Sequence, residues 1–265
     1  MEMKKDVRSN KGRKNTSWQS VAGWYDSLVG DKGSYYHEKL VIPGVMNLLS
    51  NVGHSSVLDL GCGQGILGRA IGDDILYQGV DLSKALINSA KIRDNSANHK
   101  YVVGDITKKL PIEKDDFDVA TCVLSLQNVT NPAEVIKVAS EHLRDMGCFV
   151  LVLNHPCFRI PRQSAWGIDE KQNVQYRRIT RYLSAMKIPI AAHPGKGNDS
   201  SVTWSNHFSL SELSCYLEAA GFLIEKIEEW KSDKKSQGAA ATRENRSREE
   251  IPLFMAVKAI KSKKI

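Results

Sequence analysis

The sequence predicts an α/β fold with a doubly wound parallel sheet, and two observations predict it. From residue 57 onward, short apolar runs alternate with amphipathic segments, and the runs are nearly continuous in apolar residues. Such runs are typical of strands that a parallel sheet buries on both faces. The first run leads directly into a glycine-rich turn and a helix, and this arrangement offers backbone N–H groups to a nucleotide ligand.

The elements follow in order along the chain. Residues 17–30 have near-helical spacing, and residues 31–50 form a loop that enters a second helix. The five apolar runs that predict strands are 57–61, 75–83, 101–106, 117–126 and 148–156. The segments between them predict helices, the last of which ends at Gly147 as a C-cap.

After the fifth strand the alternation breaks at residues 156–208, which are rich in Arg, Pro, Gly, Asn and Ser and predict an irregular lid over a substrate. Residues 209–222 predict a helix that closes at Gly221. Two strands then flank the polar segment 231–250. Because we expect only a loop between them, with no crossover helix, they must pair antiparallel if they are neighbours.

Composition limits the organisation and the setting of the protein. The 265 residues are 42% hydrophobic and 25% charged, which suits one domain over residues 17–260 between basic tails at 1–16 and 261–265. The sequence lacks an apolar run of the roughly 20 residues that a membrane span needs. Without an apolar leader, and with five cysteines but no C-x-x-C pair, we expect a cytoplasmic protein with reduced thiols and no metal site.

The net charge is +7 and the isoelectric point is near 9.1. Much of the excess lies in the two tails. Solvated tails explain it adequately, while a surface that binds nucleic acid is the alternative.

The glycine turn contains Gly63, Gly65 and Gly68 in the spacing G-x-G-x-x-G, which alone does not distinguish one nucleotide from another. Asp81, at the end of the second strand, suits ribose hydroxyls in either case. Asp59 is more discriminating, because a carboxylate beside the turn repels a pyrophosphate and attracts an ammonium group. S-adenosylmethionine has no phosphate and carries an ammonium and a sulfonium. The charge pattern therefore favours it over NAD.

The stretches "VLDLGCGQG", "GVDLS", "VGDI" and "FDVATCVLSLQNVT" resemble class I S-adenosylmethionine-dependent methyltransferases, and among them the small-molecule type that includes quinone-biosynthesis enzymes. The resemblance is good over residues 55–153. It implies a Rossmann-like, seven-stranded sheet of order 3-2-1-4-5-7-6 with strand 7 antiparallel, an insert after strand 5, and S-adenosylmethionine as cofactor. "RDMGC" departs from the K-P-G-G of relatives, at a turn away from the ligand.

The resemblance also implies roles for individual residues. Asp59 and the glycine turn would hold the methionine end, Asp81 and Leu82 the ribose and adenine, and Asp105 with Ile106 the adenine. Backbone groups after strand four would contact the methionine end, and an aromatic side chain of the N-terminal helix would close over the cofactor. The remaining residues of this predicted set are Gly61, Cys62, Gly63, Gly65, Leu124, Ser125 and Tyr25.

The chain that leaves the fifth strand lies where ligands bind in open α/β sheets. Phe158, Arg159 and Arg162 are therefore candidate substrate contacts, the arginines as a clamp for an anion. His155 and His207, at either end of the insert, are the candidate general bases, which the reaction needs only if the acceptor must lose a proton.

The sequence thus predicts an enzyme that transfers a methyl group to a small molecule. The alternatives are an RNA or protein acceptor, which the basic tails favour, and a regulatory module that binds the cofactor without catalysis. Cys157 follows the fifth strand as the nucleophile of RNA cytosine-5 methyltransferases does, but the surrounding residues do not reproduce that motif. Oligomeric state and the identity of the acceptor do not follow from the sequence.

Overall fold

The protein is described by a computed structural model over residues 18–19, 21–23, 29–30, 33–50, 52–53, 55–191 and 202–263. Eleven strands are present in this part of the chain. They are β1 (Ser56–Leu60), β2 (Leu76–Asp81), β3 (His99–Val103), β4 (Phe117–Val123), β5 (Leu143–Asn154), β6 (Ser164–Asp169), β7 (Val174–Ile179), β8 (Met186–Ala191), β9 (Val202–His207), β10 (Phe222–Trp230) and β11 (Phe254–Lys261).

Seven of these strands form one sheet in the order β10-β11-β5-β4-β1-β2-β3. Strand β11 is antiparallel to both of its neighbours, and the other adjacent pairs are parallel. Since β10 and β11 are the sixth and seventh strands of this sheet along the chain, the order is 3-2-1-4-5-7-6. The predicted fold class is confirmed.

Helices cover both faces of the sheet. They are α1 (Ile42–Leu49), α2 (Ile66–Ala70), α3 (Lys84–Arg93), α4 (Pro132–His142), α5 (Leu210–Ala219) and α6 (Ala241–Glu250). Helices α1, α2 and α3 pack on one apolar cluster and α4 and α5 on a second, so the buried strands separate two cores. A single π-helical turn, His37–Val41, precedes α1. Helix α5 begins with a reciprocal capping box between Ser209 and Glu212 and ends before Gly221, as predicted.

Helix α4 ends at His142, five residues before the predicted C-cap at Gly147. Strand β5 begins immediately, and its first residues form a bulge: Phe117 pairs with Leu143, but Val119 pairs with Cys148. The backbone turns back on itself here, and a side chain on Gly147 would lie 2.8 Å from the carbonyl oxygen of Arg144. Gly147 therefore permits a bulge rather than ending a helix.

Two further expectations need correction. The segment after β5 is not irregular, because β6–β7 and β8–β9 form two antiparallel hairpins. The connection between β10 and β11 contains helix α6, although the two strands pair antiparallel as predicted. The described helices include none long and apolar enough to cross a membrane. The predicted basic tails lie outside the described residues, apart from positions 261–263.

Candidate active site

A cavity of about 660 Å³ lies at the carboxyl ends of the parallel strands, where open α/β sheets bind ligands. One wall consists of the glycine turn after β1 and the residues that follow β2, β3 and β4. The opposite wall consists of the β8–β9 hairpin, including Ile190, Thr203 and Trp204. The cavity therefore joins the predicted cofactor region to the insert.

Eight of the predicted cofactor residues line this cavity. They are Gly61, Gly63, Asp81, Leu82, Asp105, Ile106, Leu124 and Ser125. They come from four different strand ends, which the parallel topology brings to one edge of the sheet. Their individual contacts with a cofactor stay predictions.

The glycine turn is shaped by close approach to the segment after β4. Gly61 has φ +78°, and a Cβ atom there would lie 2.5 Å from the Ser125 hydroxyl oxygen. The amides of Gly61 and Cys62 both donate to the Val80 carbonyl, at 2.8 and 3.1 Å. Only glycine satisfies both constraints at position 61, so the backbone itself forms this part of the wall.

Asp81 fastens the turn from the neighbouring strand. Its carboxylate accepts from the Gly63 amide at 3.1 Å and from the Ser83 amide at 2.8 Å. Burial raises the pKa of Asp81, and these two hydrogen bonds oppose that rise. Each carboxylate oxygen retains a lone pair for a further donor, such as a ribose hydroxyl.

Asp105 and two apolar side chains form the next part of the wall. Asp105 accepts from the amide and hydroxyl of Thr107, at 3.0 and 2.6 Å, and pairs with Lys108 at 3.0 Å. Burial would raise the pKa of Asp105, but these partners outweigh it and lower the pKa. Leu82 is 38% exposed although it lines the cavity with the buried Ile106. A planar ring bound between them would cover this apolar surface.

The segment after β4 is held in an unusual conformation. Leu124 has φ +53°, and its carbonyl accepts from the Gln127 and Asn128 side-chain amides at 3.1 and 3.3 Å. Because Gln127 Nε2 donates there, Oε1 points elsewhere, and it is buried without a hydrogen-bond partner in the part of the chain that the structure describes. Gln127 lines the cavity. A bound group with an N–H or O–H donor would satisfy this oxygen.

Three predicted cofactor residues do not line the cavity. The carboxylate of Asp59 is buried within the sheet, where it accepts from the Tyr77 hydroxyl at 2.6 Å and the Thr121 hydroxyl at 2.8 Å. The Cys62 side chain covers Gly79 of β2. Gly65, with φ +77°, begins helix α2 and leaves room for the Tyr101 ring. Their observed contacts are with the protein. Tyr25 lies outside the described residues.

The two predicted general bases are also engaged elsewhere. His155 is 2% exposed; its Nε2 contacts Glu229 Oε1 at 2.6 Å, and its Nδ1 accepts from the Cys157 amide at 3.2 Å. Burial lowers the pKa of His155. His207 Nε2 contacts the Tyr182 carbonyl at 2.7 Å. Neither histidine lines the main cavity, so the geometry does not support a general-base role for them.

The predicted substrate contacts lie beside the cavity rather than in it. Arg159 donates through Nε to the Pro252 carbonyl at 3.2 Å and stacks on Trp166, and burial lowers its pKa to about 10. Arg162 is exposed, and Phe158 packs on the His155 ring. None of the three lines the main cavity. Arg159 and Arg162 therefore do not form an anion clamp inside the main cavity.

The structure adds residues that sequence patterns did not indicate. His37 lines the cavity from the π-helical turn, and Gln127, Asn128 and Asn131 line it after β4. Trp204 lines it from β9. The alternation of apolar runs and helices predicts where strands end, but it does not predict which hairpin folds over those ends. Nothing in the local sequence therefore placed Trp204 and its neighbours at the cavity. A histidine after a glycine, as in "GSYYH", was visible but has no distinctive spacing.

The chain can now be compared with known proteins. Residues 58–151 match the family model described as a methyltransferase domain. The chain is 30% identical over 136 residues to the ubiquinone biosynthesis O-methyltransferase of Acinetobacter baylyi, which is 48% of this chain and 55% of that relative. It is 29% identical over 96 residues to the protein of the same name from Photobacterium profundum, 34% of this chain and 40% of that relative. The chain thus spans about half the length of the curated relatives it matches.

Solved structures agree over a longer span. An S-adenosylmethionine-dependent methyltransferase from Mesorhizobium loti superimposes with a TM-score of 0.65 at 26% identity, over 88% of this chain and all of that one. One from Clostridium acetobutylicum shares the fold, with a TM-score of 0.59 at 20% identity over 93% and 99% of the two chains. The chain therefore has the fold of class I methyltransferases, and residues 58–151 match a methyltransferase domain. The chain is similar to those that use S-adenosylmethionine, which is the cofactor this class implies.

The cavity fits that cofactor. Within the described part of the chain, Asp81 and Asp105 are its only lining carboxylates, and no lysine or arginine lines it. The buried Asp59 lies close enough to Asp81 for the two charges to interact. Such a site suits a ligand with an ammonium and a sulfonium, and it gives a pyrophosphate no cation. The cradle at Gly61, which a Cβ would fill, allows close approach to the backbone.

Proposed function

We propose that the protein transfers the methyl group of S-adenosylmethionine to a small, uncharged acceptor that carries a hydroxyl group. The observation that carries the proposal is the cavity itself. It is continuous between the cofactor wall and the β8–β9 hairpin, so both reactants would share one cavity. Binding in one cavity would bring them into the in-line geometry that methyl transfer needs.

The composition of the second wall supports an uncharged acceptor. Ile190 and Trp204 supply apolar surface, and Thr203 and Ser205 supply neutral polar groups. A phosphate or carboxylate would find no lysine or arginine among the described lining residues. An aromatic ring against Trp204 would bury apolar area on both partners.

The relatives support oxygen as the accepting atom, since the curated proteins named above are O-methyltransferases. Gln127 Oε1, buried and unpartnered at the cavity, supports an acceptor or cofactor group that donates a hydrogen bond. In this proposal the insert after β5 covers the acceptor, as a pair of hairpins rather than as an irregular lid.

An RNA acceptor is the second candidate, and aromatic–cation pairs on the hairpins favour it. The guanidinium carbons of Arg159 and Arg177 lie 5.2 and 5.1 Å from the Trp166 ring centre, and Lys187 Nζ lies 5.0 Å from that of Trp204. Exposed rings flanked by cations are typical of surfaces that stack bases. The lack of lysine and arginine among the described lining residues of the cavity favours the small molecule over this alternative.

The proposal is tested by incubating the protein with methyl-labelled S-adenosylmethionine and a fractionated lysate. We expect label in low-molecular-weight products. The variant Trp204→Ala should reduce that label about tenfold or more, since removing a stacking ring costs on the order of 1–3 kcal/mol. Trp166→Ala, in the hairpin that does not line the cavity, is the matched control and should leave it unchanged.

Other outcomes contradict the proposal in recognisable ways. Label in RNA that falls with Trp166→Ala would establish the second candidate, and label in protein would indicate a protein acceptor. Cofactor binding without any S-adenosylhomocysteine formed in any fraction would indicate a regulatory module that does not catalyse.

A further inference from the structure

His37 lies at the cavity on an element that no motif indicated. It begins the single π-helical turn before α1, and such turns occur frequently at functional sites. A Cβ atom on Gly33, whose φ is +91°, would lie 2.4 Å from His37 Cβ and 3.5 Å from Cδ1 of Ile66, the first residue of α2. The base of the His37 side chain therefore lies near the helix that follows the glycine turn, where the methyl donor is expected.

Hydrogen bonding leaves one ring nitrogen of His37 available. Nδ1 contacts the Ser34 hydroxyl oxygen at 2.8 Å. Nε2 has no hydrogen-bond partner among the described residues. When Nδ1–H donates to Ser34, Nε2 carries the lone pair. Burial lowers the pKa of His37, so the ring is neutral at neutral pH and able to accept a proton.

The other titratable groups that line the cavity are less suited to this task. Both oxygens of Asp81 accept backbone N–H groups, and Asp105 is bonded to Thr107 and paired with Lys108. Hydrogen bonds to a carboxylate stabilise its charged form and weaken it as a base. His155 and His207, the histidines of the insert, do not line the cavity.

We propose that His37 is the general base for the acceptor hydroxyl, with Ser34 as the positioning residue that fixes its tautomer. This inference rests on the proposed function. The acceptor O–H bond breaks, its proton moves to His37 Nε2, and the oxygen electron pair forms the new bond to carbon. S-adenosylmethionine supplies an electrophilic methyl group and keeps the electron pair of the broken carbon–sulfur bond on sulfur. His37 then releases the proton to water.

The test uses a probe that reports proton transfer without methyl transfer. The full-length protein is saturated with S-adenosylhomocysteine, and 4-nitrophenol is added at one near-neutral pH, where its phenolate is read by visible absorbance. We expect the ratio of bound phenolate to phenol to be about tenfold higher in the wild type than in His37→Gln, because an adjacent cationic partner shifts a phenol by about one pH unit or more. Ser34→Ala should give an intermediate ratio.

Controls separate this role from structural and cofactor-binding roles. Lys39→Gln alters an exposed side chain of the same π-helical turn. It should match the wild type in the phenolate ratio and in the affinity for S-adenosylhomocysteine. The affinity for S-adenosylhomocysteine should stay within about twofold in all variants. Thermal melting curves establish that each variant is folded.

Three results would overturn the inference. Equal phenolate ratios in the wild type and His37→Gln would show that His37 does not accept the proton. Failure of 4-nitrophenol to bind the wild type would show that the cavity does not bind a phenol. A tenfold loss of S-adenosylhomocysteine affinity in His37→Gln would make His37 a cofactor ligand instead. The proposed function fails separately, if the wild type does not bind S-adenosylhomocysteine at all.

Discussion

Asp81, the last residue of β2, links the glycine turn to that strand and lines the cavity. Its carboxylate bonds the amides of Gly63 and Ser83, so it both shapes the turn and offers its remaining lone pairs to a ligand. We predict that this carboxylate also accepts hydrogen bonds from the ribose hydroxyls of the cofactor.

For Asp81→Ala we expect S-adenosylhomocysteine to bind about 10- to 100-fold more weakly, because charged hydrogen bonds to the ligand contribute on the order of 1.5–3 kcal/mol. The protein should stay folded, since the sheet does not depend on this carboxylate. Titration calorimetry and a melting curve measure the two effects, with the exposed Asp116→Ala as control. Unchanged affinity in Asp81→Ala would remove the ribose role.

Asp59 shows why a residue can suit the ligand without touching it. Burial raises its pKa to about 6, against the hydrogen bonds from Tyr77 and Thr121, so it is largely ionised at neutral pH. Between the ordinary aspartate pKa of about 4 and this value, the folded state holds more protons than the unfolded state. This group therefore favours folding less as the pH rises through that window. We expect Asp59 to act on a bound ligand through its charge rather than through a contact.

At the scale of elements, one carboxylate joins the beginnings of β1 and β4 at the edge of the sheet opposite the cavity. Asp118 accepts from the amides of Ser55 and Ser56 at 2.8 and 3.0 Å and from Arg144 Nε at 2.7 Å. Burial would raise the pKa of Asp118, but Arg144 and the serines outweigh it and hold the pKa well below its usual range.

We expect Asp118→Ala to lower the free energy of unfolding by about 2 kcal/mol at pH 7, because the buried Ser56 groups lose their charged acceptor. A carboxyl group whose pKa is lower in the folded state stabilises the fold at pH values above its unfolded-state pKa. This stabilisation is lost as the pH falls through the lower pKa of the folded state. The difference from the wild type should therefore shrink below about pH 4. Urea unfolding at several pH values measures it; a difference that does not vary with pH would contradict the account.

The sequence predicts elements best where the pattern is local. The strands of the parallel sheet follow from apolar runs, and helix α5 follows from apolar spacing and Gly221, whereas the strand order was implied by the resemblance. The end of α4 does not follow from the local pattern, because pairing of Leu143 with β4 overrides the helical pattern that continues to Gly147. Helix α6 was missed for a similar reason, because it contacts residues distant in the chain, as where Arg243 pairs with Glu170. The β6–β7 hairpin pairs residues that are close in the chain, and it was missed because the insert lacks a clear apolar alternation.

The same distinction applies to the site. The cavity residues at strand ends could be predicted, because the topology of a parallel sheet brings the carboxyl ends of its strands to one edge regardless of the side chains there. The choice of histidine could not, because a base is defined by its position in three dimensions. His155 follows β5 in sequence yet turns to Glu229, whereas His37 reaches the cavity from a turn before the sheet.

At the scale of the whole molecule, the sheet forms one wall of the cavity and the insert forms the other. We propose that the first wall holds the cofactor and the second holds the acceptor. A cavity with carboxylates on the cofactor side and neutral groups on the acceptor side is consistent with a cationic donor and an uncharged acceptor.

The most direct test of this account is isothermal titration of the wild-type protein with S-adenosylmethionine and, separately, with NAD. The account predicts saturable binding of S-adenosylmethionine and no measurable binding of NAD, because the described cavity offers a pyrophosphate no cation. Binding of NAD alone would contradict it.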